Sequence, residues 1–284
     1  MPEISVIITT YNRHHLLKEA IKSVLSQNFK NFELIIVDDF SLNNPEEIVK
    51  SFKDGRIVYI RHKANRGIAT TRNTGIKIAQ GKYIISLDDD DLMAPWALEG
   101  LFDKIKDSRK NIGGIYGWSW WTHKNGKTLK FVDFQKKGKI FDDIFRNQIF
   151  TNILLKKEVF GNIGLYDESL KSNEDHDFYL RLAKKYELDF VSKILFIIRV
   201  QENEHLSELS FSHMKSHQMV MQRYLPNSKN KGVSILKFLP KTFYFKLSLL
   251  KYKIITTMKI IDNIALRKEI TEIREKLKEQ DIKV

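Results

Sequence analysis

Four consecutive carboxylates, Asp88 to Asp91, are the feature of this sequence that most clearly points to chemistry. Adjacent carboxylates repel one another, and a surface turn gains nothing from collecting them unless a cation offsets their charge. Oxygen-rich clusters suit hard divalent ions such as Mg²⁺ or Mn²⁺, which also bridge diphosphates. The alternative is a solvated acidic turn that caps a helix beginning near Pro95. Taken alone, the cluster leaves both interpretations open.

Other polar residues follow the ends of predicted strands. Asp38 and Asp39 come after the apolar run 32–37, and Tyr11 comes after the run Ile4–Thr10. The acidic cluster itself closes a further apolar run. In an open parallel sheet, ligands bind at the carboxyl ends of the strands. Three strand ends therefore bring polar groups to one edge, where a carboxylate can meet a base or a ribose and an aromatic ring can meet the base.

The elements that position these residues follow from hydrophobic periodicity. Short apolar runs alternate with segments of helical period over the first hundred residues, which predicts a βαβ sheet in an α/β fold. The predicted strands there are 4–10, 32–37, 56–62 and 83–87, and the predicted helices cover 16–25, 68–80 and segments beginning near Asn44 and Pro95. After about residue 111 we predict a hairpin of 112–118 with 128–132, a helix over 174–185, and closing strands at 188–191 and 194–199.

Composition narrows the class of protein. The chain has 284 residues and no cysteine, which excludes a disulfide scaffold, thiolate metal sites and cysteine nucleophiles. Its net charge of +13 suggests phosphate-bearing partners, namely nucleic acid, anionic lipid or a phosphorylated small molecule. Nucleic-acid binding would need a basic face with interleaved aromatics on the body of the protein. About half of the excess lies instead in residues 233–261, which contain six lysines and no carboxylate. We therefore expect no nucleic-acid partner.

The C-terminal part differs in composition from the rest. We predict a main domain over 1–225, a linker at 226–232 and a basic, apolar helical tail over 233–284. The tail suits either attachment to an anionic membrane face or packing as an accessory helix. Its last apolar residues, spaced four, three and four apart, predict either a dimer seam, and so a homo-oligomer, or a docked terminal helix; they are Leu266, Ile270, Ile273 and Leu277.

The sequence carries no signal for export or membrane crossing that we recognise. It does not begin with a basic segment followed by an apolar one, and no uncharged apolar stretch reaches about 18–20 residues. We expect a cytoplasmic protein, either free or peripheral on the inner face of the cell membrane.

Five motifs occur together in an order that resembles the family 2 glycosyltransferases, which have the GT-A fold. They are SVIITTYNR at 5–13, VDDFS at 37–41, NRG at 65–67 with RNTG at 72–75, GKYI at 81–84 and LDDDD at 87–91. The resemblance extends over about residues 3–205. It implies a mostly parallel nucleotide-binding sheet flanked by helices, with the C-terminal segment as a helical extension.

The resemblance assigns seven positions to the sugar donor and its metal ion. They are Thr9, Tyr11 and Asp39 for the base and ribose, Arg72 beside the nucleotide, Asp88 or Asp89 toward the ribose, and Asp90 on Mn²⁺ or Mg²⁺. Asp91 is expected to orient its neighbours. The additional carboxylate at position 89 shifts the family's Asp-X-Asp pattern, so the resemblance alone leaves the ligand assignment open by one residue.

A second motif, NEDHDFYLRL at 173–182, resembles the family's Glu-Asp motif before a helix. In inverting members the aspartate is the general base, which is Asp175 here. A carboxylate within hydrogen-bond reach helps an acceptor hydroxyl to lose its proton. The alternative is that the acidic residues only cap the helix and complement its dipole, and both roles can hold together.

Three further residues are candidates for the acceptor side. Trp118 and Trp120 follow the fifth predicted strand, where aromatic faces can pack on sugar rings, although core packing is the commoner fate of tryptophan. Glu174 lies beside the proposed base. His205 stands four residues beyond the position where the family often has a histidine; a metal or phosphate contact and an ordinary loop histidine are both open.

These observations predict an inverting, metal-dependent glycosyltransferase. It would move a sugar from a nucleoside diphosphate donor, UDP by resemblance, to a saccharide or lipid-linked acceptor in cell-surface polysaccharide synthesis. The alternative is a non-catalytic GT-A-like nucleotide-sugar-binding or scaffold protein, against which the intact acidic motifs argue.

Overall fold

The strands and helices of the computed structural model follow the predicted alternation closely over the first hundred residues. The structure describes residues 1–123, 128–147, 152–200, 211–224 and 264–282. The strands are β1 Ile4–Thr10, β2 Phe32–Asp38, β3 Ile57–Arg61, β4 Tyr83–Asp88, β5 Leu92–Met93, β6 Ile112–His123, β7 Thr128–Val132, β8 Ile153–Lys156 and β9 Glu187–Val200. The helices are α1 His14–Leu25, α2 Glu46–Ser51, α3 Ile68–Ile78, α4 Ala97–Ile105, α5 Phe141–Asn147, α6 Glu158–Ile163, α7 Glu174–Lys185, α8 Phe211–Tyr224 and α9 Ile264–Glu279. His205, the predicted linker 226–232 and the lysine-rich stretch 233–261 lie outside the described residues.

The first four strands form the parallel half of one sheet, in the order β3-β2-β1-β4. Every residue of β1 and β2 is buried, as expected for apolar strands covered by helices on both faces. Thr10 pairs with Asp38 across one side of β1, and Thr9 pairs with Asp88 across the other. The polar ends of the three strands therefore meet at the same edge, as the sequence predicts.

The remaining strands continue the sheet in mixed directions, in the order β4-β8-β6-β9-β5 with β7 on β6. β8 is antiparallel to both of its neighbours, whereas β6 and β9 run parallel with irregular register at three points. The predicted hairpin is present as β6 with β7. The two closing strands predicted at 188–191 and 194–199 form one continuous strand, β9, which stays paired with β6 across shifts of register.

The helix α3 lies unusually close to the sheet. A Cβ atom placed on Gly75 would come within 2.6 Å of Ile7 Cγ2, so only glycine permits this approach. Because Arg72 lies one turn earlier on the same helix, the close packing also sets the position of the Arg72 side chain relative to the strand ends.

The last helix, α9, packs on the domain rather than standing apart from it. Leu266, Ile270, Ile273 and Leu277, the residues whose spacing left a dimer seam and a docked helix open, are buried in the core cluster that also contains α1 and β9. The Glu269 carboxylate accepts a hydrogen bond of 2.7 Å from the backbone N–H of Ile194, and the Arg274 guanidinium lies 5.0 Å from the ring centroid of Trp120. The apolar face of α9 is therefore taken up within the chain. None of the helices in the described ranges is both long enough and apolar enough to cross a bilayer.

Candidate active site

Three carboxylates at the end of β4 form a group that can hold a metal ion. One oxygen each from Asp88, Asp90 and Asp91 lies within 4.8 Å of the other two. Burial and the neighbouring carboxylates raise the pKa values of Asp90 and Asp91, since charges of one sign are gathered away from water. A divalent cation relieves that repulsion, and an all-oxygen donor set fits Mg²⁺ or Mn²⁺. The acidic cluster thus has the chemistry of a hard-metal site.

Asp89, the fourth carboxylate, lies apart from this group. Its side chain accepts hydrogen bonds from Thr10 Oγ1 at 2.6 Å and Arg13 Nη1 at 3.2 Å, and the residue is 3% exposed. Burial raises the pKa of Asp89 to about 7 while Arg13 opposes the shift. We expected Asp88 or Asp89 to face the ribose, with Asp91 only orienting its neighbours. In the structure, the carboxylate of Asp89 braces the end of β1, and that of Asp91 belongs to the metal-competent group. The contact of Asp88 or Asp89 with the ribose stays a prediction.

Arg13 is a site residue that the sequence analysis missed. Its guanidinium also lies 2.8 Å from Asp90 Oδ2, so one cation bridges two of the four carboxylates. The residue stands at the end of the first motif, directly before α1, and its position there was the available signal. Arg199 supports the cluster from β9, where its Nε donates to the backbone carbonyl of Asp90 at 2.5 Å and its other end pairs with Glu19.

The turn after β2 is organised by its two aspartates. The Asp39 carboxylate accepts backbone N–H bonds of 2.8 Å from Arg66 and from Gly67, and it lies 2.8 Å from Nδ1 of His62. Gly67 has a φ of +85°, which a side chain would disfavour. Asp39 therefore fixes the loop that begins α3, and it stays within the polar edge to which the sequence assigned it.

Thr9 and Tyr11 lie at the end of β1, in the same edge. Thr9 is 4% exposed and pairs with Asp88 in the sheet, whereas Tyr11 is 45% exposed. The structure thus gathers Thr9, at the end of β1, with Tyr11 and Asp39 in the turns that follow β1 and β2, and Tyr11 is the most exposed of the three.

Arg72 joins the two acidic motifs. Its Nη2 lies 2.8 Å from Asp88 Oδ1, and its Nη1 pairs with Glu174, 102 residues away in sequence. Burial alone would lower the pKa of Arg72, but the two carboxylates raise it above its usual range. Burial has the opposite effect on Glu174 and raises its pKa to about 7, although the positive charge of Arg72 opposes this shift. Glu174 is 5% exposed and occupied by this pair, so the expectation that it contacts an acceptor is not supported.

Asp175 stands in the first turn of α7, as the motif predicts. Asn173, just before the helix, has a φ of +59°, and the Asp175 carboxylate accepts the backbone N–H of His176 at 2.7 Å. That bond engages one carboxylate oxygen of Asp175 with the neighbouring backbone, and the residue remains partly exposed to solvent. The second carboxylate oxygen of Asp175 is therefore available, and the residue follows Glu174, which Arg72 connects to Asp88.

A match to a family model identifies the protein family of this chain. The family model described as glycosyl transferase family 2 matches residues 5–164, which include the strand ends of the parallel half and the acidic cluster. The chain belongs to glycosyltransferase family 2. The resemblance seen in its motifs is thereby confirmed.

Relatives of this glycosyltransferase differ in how much of their length the match covers. An uncharacterized glycosyltransferase of Methanocaldococcus jannaschii is 31% identical over 265 residues, which is 90% of each chain. The poly(ribitol-phosphate) β-N-acetylglucosaminyltransferase TarP of Staphylococcus aureus is 32% identical over 73% of this chain and 66% of its own. Against three rickettsial glycosyltransferases, the chain spans only about a third of their length.

Solved structures agree on the fold. Residues 1–349 of S. aureus TarS in complex with UDP-GlcNAc superpose with a TM-score of 0.63 at 22% identity, over 81% of this chain and 68% of that one. A mannosyltransferase of Pyrobaculum calidifontis in complex with GDP-Man and Mn²⁺ gives 0.61 at 15% identity, over 80% and 65%. The glycosyltransferase therefore has the GT-A fold, a mostly parallel sheet flanked by helices.

Of the tryptophans proposed for the acceptor, one lies wholly inside this glycosyltransferase. Trp120 has no exposed surface, and its Nε1 donates to Thr128 Oγ1 at 3.0 Å. Its ring has no face exposed to solvent, which argues against the predicted contact with the acceptor. Trp118 is partly exposed and packs edge-on against Phe131 at 5.5 Å between ring centroids. It stays a candidate.

Proposed function

We propose that this chain transfers a sugar, with inversion at the anomeric carbon, from a UDP-sugar to a hydroxyl group of a saccharide or lipid-linked acceptor in cell-surface polysaccharide synthesis. The observation that carries the proposal is the Arg72 bridge. It joins a carboxylate group suited to a divalent cation, at Asp88, to the helix that begins with Glu174 and Asp175. The diphosphate leaving group would lie at the metal-binding carboxylates and the acceptor hydroxyl would lie beside Asp175. The Arg72 bridge connects these two positions.

The chemical step assigned to the chain itself is proton removal. The acceptor oxygen attacks the anomeric carbon, its proton passes to the Asp175 carboxylate, and the bond from that carbon to the diphosphate oxygen breaks. A single displacement of this kind inverts the configuration. Asp175 suits the role because it lies in the first turn of α7, with one oxygen engaged by a backbone N–H and its side chain partly open to solvent.

The leaving group acquires negative charge as the bond breaks. Asp88, Asp90 and Asp91 would hold a divalent metal ion, which when bound offsets that charge on the diphosphate. The chain contributes the orientation of the site. Arg13 and Thr10 anchor Asp89, and Arg72 anchors Asp88, so the carboxylates keep their positions while substrate enters.

The names of relatives support the substrate class. TarP is named as a poly(ribitol-phosphate) β-N-acetylglucosaminyltransferase, and the TarS structure, which shares the fold of this chain, holds UDP-GlcNAc. We therefore propose UDP as the nucleotide, and a hexose or N-acetylhexosamine as the sugar.

Binding of UDP tests the donor and metal assignments together. The purified full chain should bind UDP in the presence of Mn²⁺ by isothermal titration and lose most of that binding when EDTA replaces the metal. Asp90→Ala should abolish the Mn²⁺-dependent part. Asp103→Ala, which removes an exposed carboxylate on α4, is the matched control and should bind UDP normally. Equal UDP affinity with Mn²⁺ and with EDTA would reject the metal dependence.

We further propose that the protein sits at an anionic membrane face through the lysine-rich residues 233–261 and encounters its acceptor there. The full chain should sediment with vesicles that contain anionic lipid and remain in solution with zwitterionic ones. Replacement of the six lysines of that segment by glutamine should remove the difference while leaving UDP binding intact.

A further inference from the structure

The turn after β2 holds a phenylalanine in a backbone conformation that suits glycine. Phe40 has a φ of +68°, in the left-handed region, where the Cβ atom of an L-residue approaches the following carbonyl oxygen. For a bulky side chain this conformation is a true outlier. Strain of this kind persists only where the surrounding structure imposes it, and it gathers at functional sites.

The conformation of the turn does not depend on the ring of Phe40. Ser41 donates to Asp38 Oδ1 twice, from its backbone N–H at 3.0 Å and from its hydroxyl at 2.5 Å. Arg61 closes the turn from β3, with Nε 3.0 Å from Asp38 Oδ2 and Nη2 donating to the Ser41 carbonyl at 2.7 Å. A glycine at position 40 would satisfy the same bonds without strain, so the side chain needs another explanation.

The ring is not used for core packing. Phe40 is 42% exposed and belongs to neither of the two hydrophobic clusters formed by the described residues. The guanidinium of Arg61 lies over the ring, 4.9 Å from its centroid. Because Asp38 and Ser41 hold that guanidinium, the ring has a fixed neighbour on one face. An aromatic side chain that is oriented yet still open is suited to meet a flat ligand.

Phe40 stands in a turn that is bonded to the turn of another exposed aromatic residue, Tyr11. The turn that contains Tyr11 is tied to the turn of Phe40 by two hydrogen bonds, from Asn12 N–H to Ser41 Oγ at 2.9 Å and from Leu42 N–H to Asn12 Oδ1 at 2.7 Å. Asn12 has a positive φ of 58° as well. Two residues of positive φ, Asn12 and Phe40, thus lie in turns that are bonded to each other, and each of these turns carries an exposed aromatic residue.

We propose that Phe40, oriented by Arg61, contacts the nucleobase of the donor and is a second aromatic determinant of nucleotide affinity beside Tyr11. The inference rests on the proposed function, because it takes a nucleoside diphosphate as the ligand of this edge. Bases stack on aromatic side chains through their π-faces, and each such contact contributes measurably to binding.

The test compares Phe40→Gly with the wild-type full chain. We expect UDP affinity in Mn²⁺ to fall about 5- to 100-fold, the range of one lost stacking contact. The melting temperature should stay level or rise by up to about 4 °C, because glycine relieves the strain. Uridine, which lacks the diphosphate, should lose affinity by the same factor as UDP. Phe40→Trp should keep the affinity, and Leu42→Ala, an 85% exposed neighbour in the same turn, should leave it unchanged.

Each other result overturns the inference in a recognisable way. Equal UDP affinity of Phe40→Gly and wild type means that the ring does not contact the base. A fall in melting temperature together with the loss of affinity means that the ring stabilises the turn and acts only through structure. A wild-type protein that binds no nucleoside diphosphate rejects the proposed donor, and this inference with it.

Discussion

The donor edge, meaning the turns 11–13, 39–41 and 89–91 after β1, β2 and β4, is held together differently from the start of α7, the helix that carries Asp175. Bonds such as those from Ser41 to Asp38 and from Asn12 to Ser41 link the turns of the donor edge to one another, and Arg61 and Arg199 add bonds from β3 and β9. The carboxylates of Glu174 and Asp177 at the start of α7 have partners on α3 and α8.

Glu174 and Asp177 are buried carboxylates whose partners lie far away in the sequence. Glu174 pairs with Arg72, 102 residues earlier, and Asp177 accepts hydrogen bonds from Arg223 at 2.6 Å and from Tyr224 at 3.0 Å, both on α8. Removing the cationic member of such a pair leaves an uncompensated buried charge. We infer that donor binding and the position of the general base Asp175 can be changed separately. A change of Arg72, which connects the two regions, should affect both.

The strongest test of that separation is Asp175→Asn. We expect kcat to fall about 10²- to 10⁴-fold, because an amide cannot accept the acceptor's proton. UDP affinity should stay at the wild-type value, since the donor edge does not contain this residue. Steady-state kinetics and UDP titration measure the two effects, with Asp103→Asn as the matched control. Normal turnover by Asp175→Asn would contradict the role of Asp175 as the general base.

A smaller but broader effect is expected from Arg72→Met, which cuts the connection itself. Glu174 and Asp88 lose their shared cation, and the free energy of unfolding should fall by about 3–5 kcal/mol. Unlike Asp175→Asn, this change should lower both stability and kcat.

A double-mutant cycle shows whether the loss comes from the pair. Arg72→Met combined with Glu174→Gln should recover part of the stability, because no buried carboxylate is left without a partner. Chemical denaturation of the two single variants and the double variant measures this. Strictly additive changes in the free energy of unfolding would mean that the bridge is not an energetic unit.

The smallest expected effect comes from removing one tyrosine hydroxyl in each of the two regions. Tyr224→Phe removes a donor to Asp177 and should lower the free energy of unfolding by about 1–2 kcal/mol. Tyr59→Phe removes a hydroxyl that lies 3.3 Å from Asp38 Oδ2, beside the donor edge, and 2.9 Å from the exposed Asn44 Oδ1, and it should cost less because water can replace the exposed contact. Thermal denaturation of both variants measures the difference. If Tyr59→Phe lost as much unfolding free energy as Tyr224→Phe, or more, the proposed difference between the two regions would be wrong.

The pH dependence of the Tyr224 bond gives a second measurement. Burial and Asp177 raise the pKa of Tyr224 from 10.0 to about 12. Because the folded pKa lies above the unfolded one, the contribution of Tyr224 is complete below pH 10.0 and is lost as the pH rises through about 12. The stability difference between wild type and Tyr224→Phe should therefore shrink above pH 10.0.

Much of the parallel half could be predicted from the sequence, since its information is local. Apolar runs of strand length and segments of helical period located β1 to β4 and α1 to α4 to within a few residues, and the strand-end rule placed Thr9, Asp39 and Asp88 at one edge. The helix α7 was predicted with the bounds that it has, because its acidic first turn and basic last turn mark both ends.

The mixed half was harder, since its strands pair with partners far away in sequence and their lengths depend on those partners. The predicted strand 112–118 extends to His123, and 188–191 joins 194–199 into one strand. The burial of Trp120 beneath Arg274 of α9 involves a contact over more than 150 positions, which no local pattern reveals.

By itself the sequence determined the family, the sheet of parallel strands and the set of charged residues at its edge, because motifs and periodicity are properties of neighbouring residues. Only the tertiary structure decided what each charge does: that Asp89 turns to Thr10 and Arg13, that Asp91 joins the metal-competent group, and that Arg72 ties Asp88 to Glu174. The physical reason is that a carboxylate's role depends on its burial and on the nearest opposite charge, and the chain acquires both only when distant segments pack together.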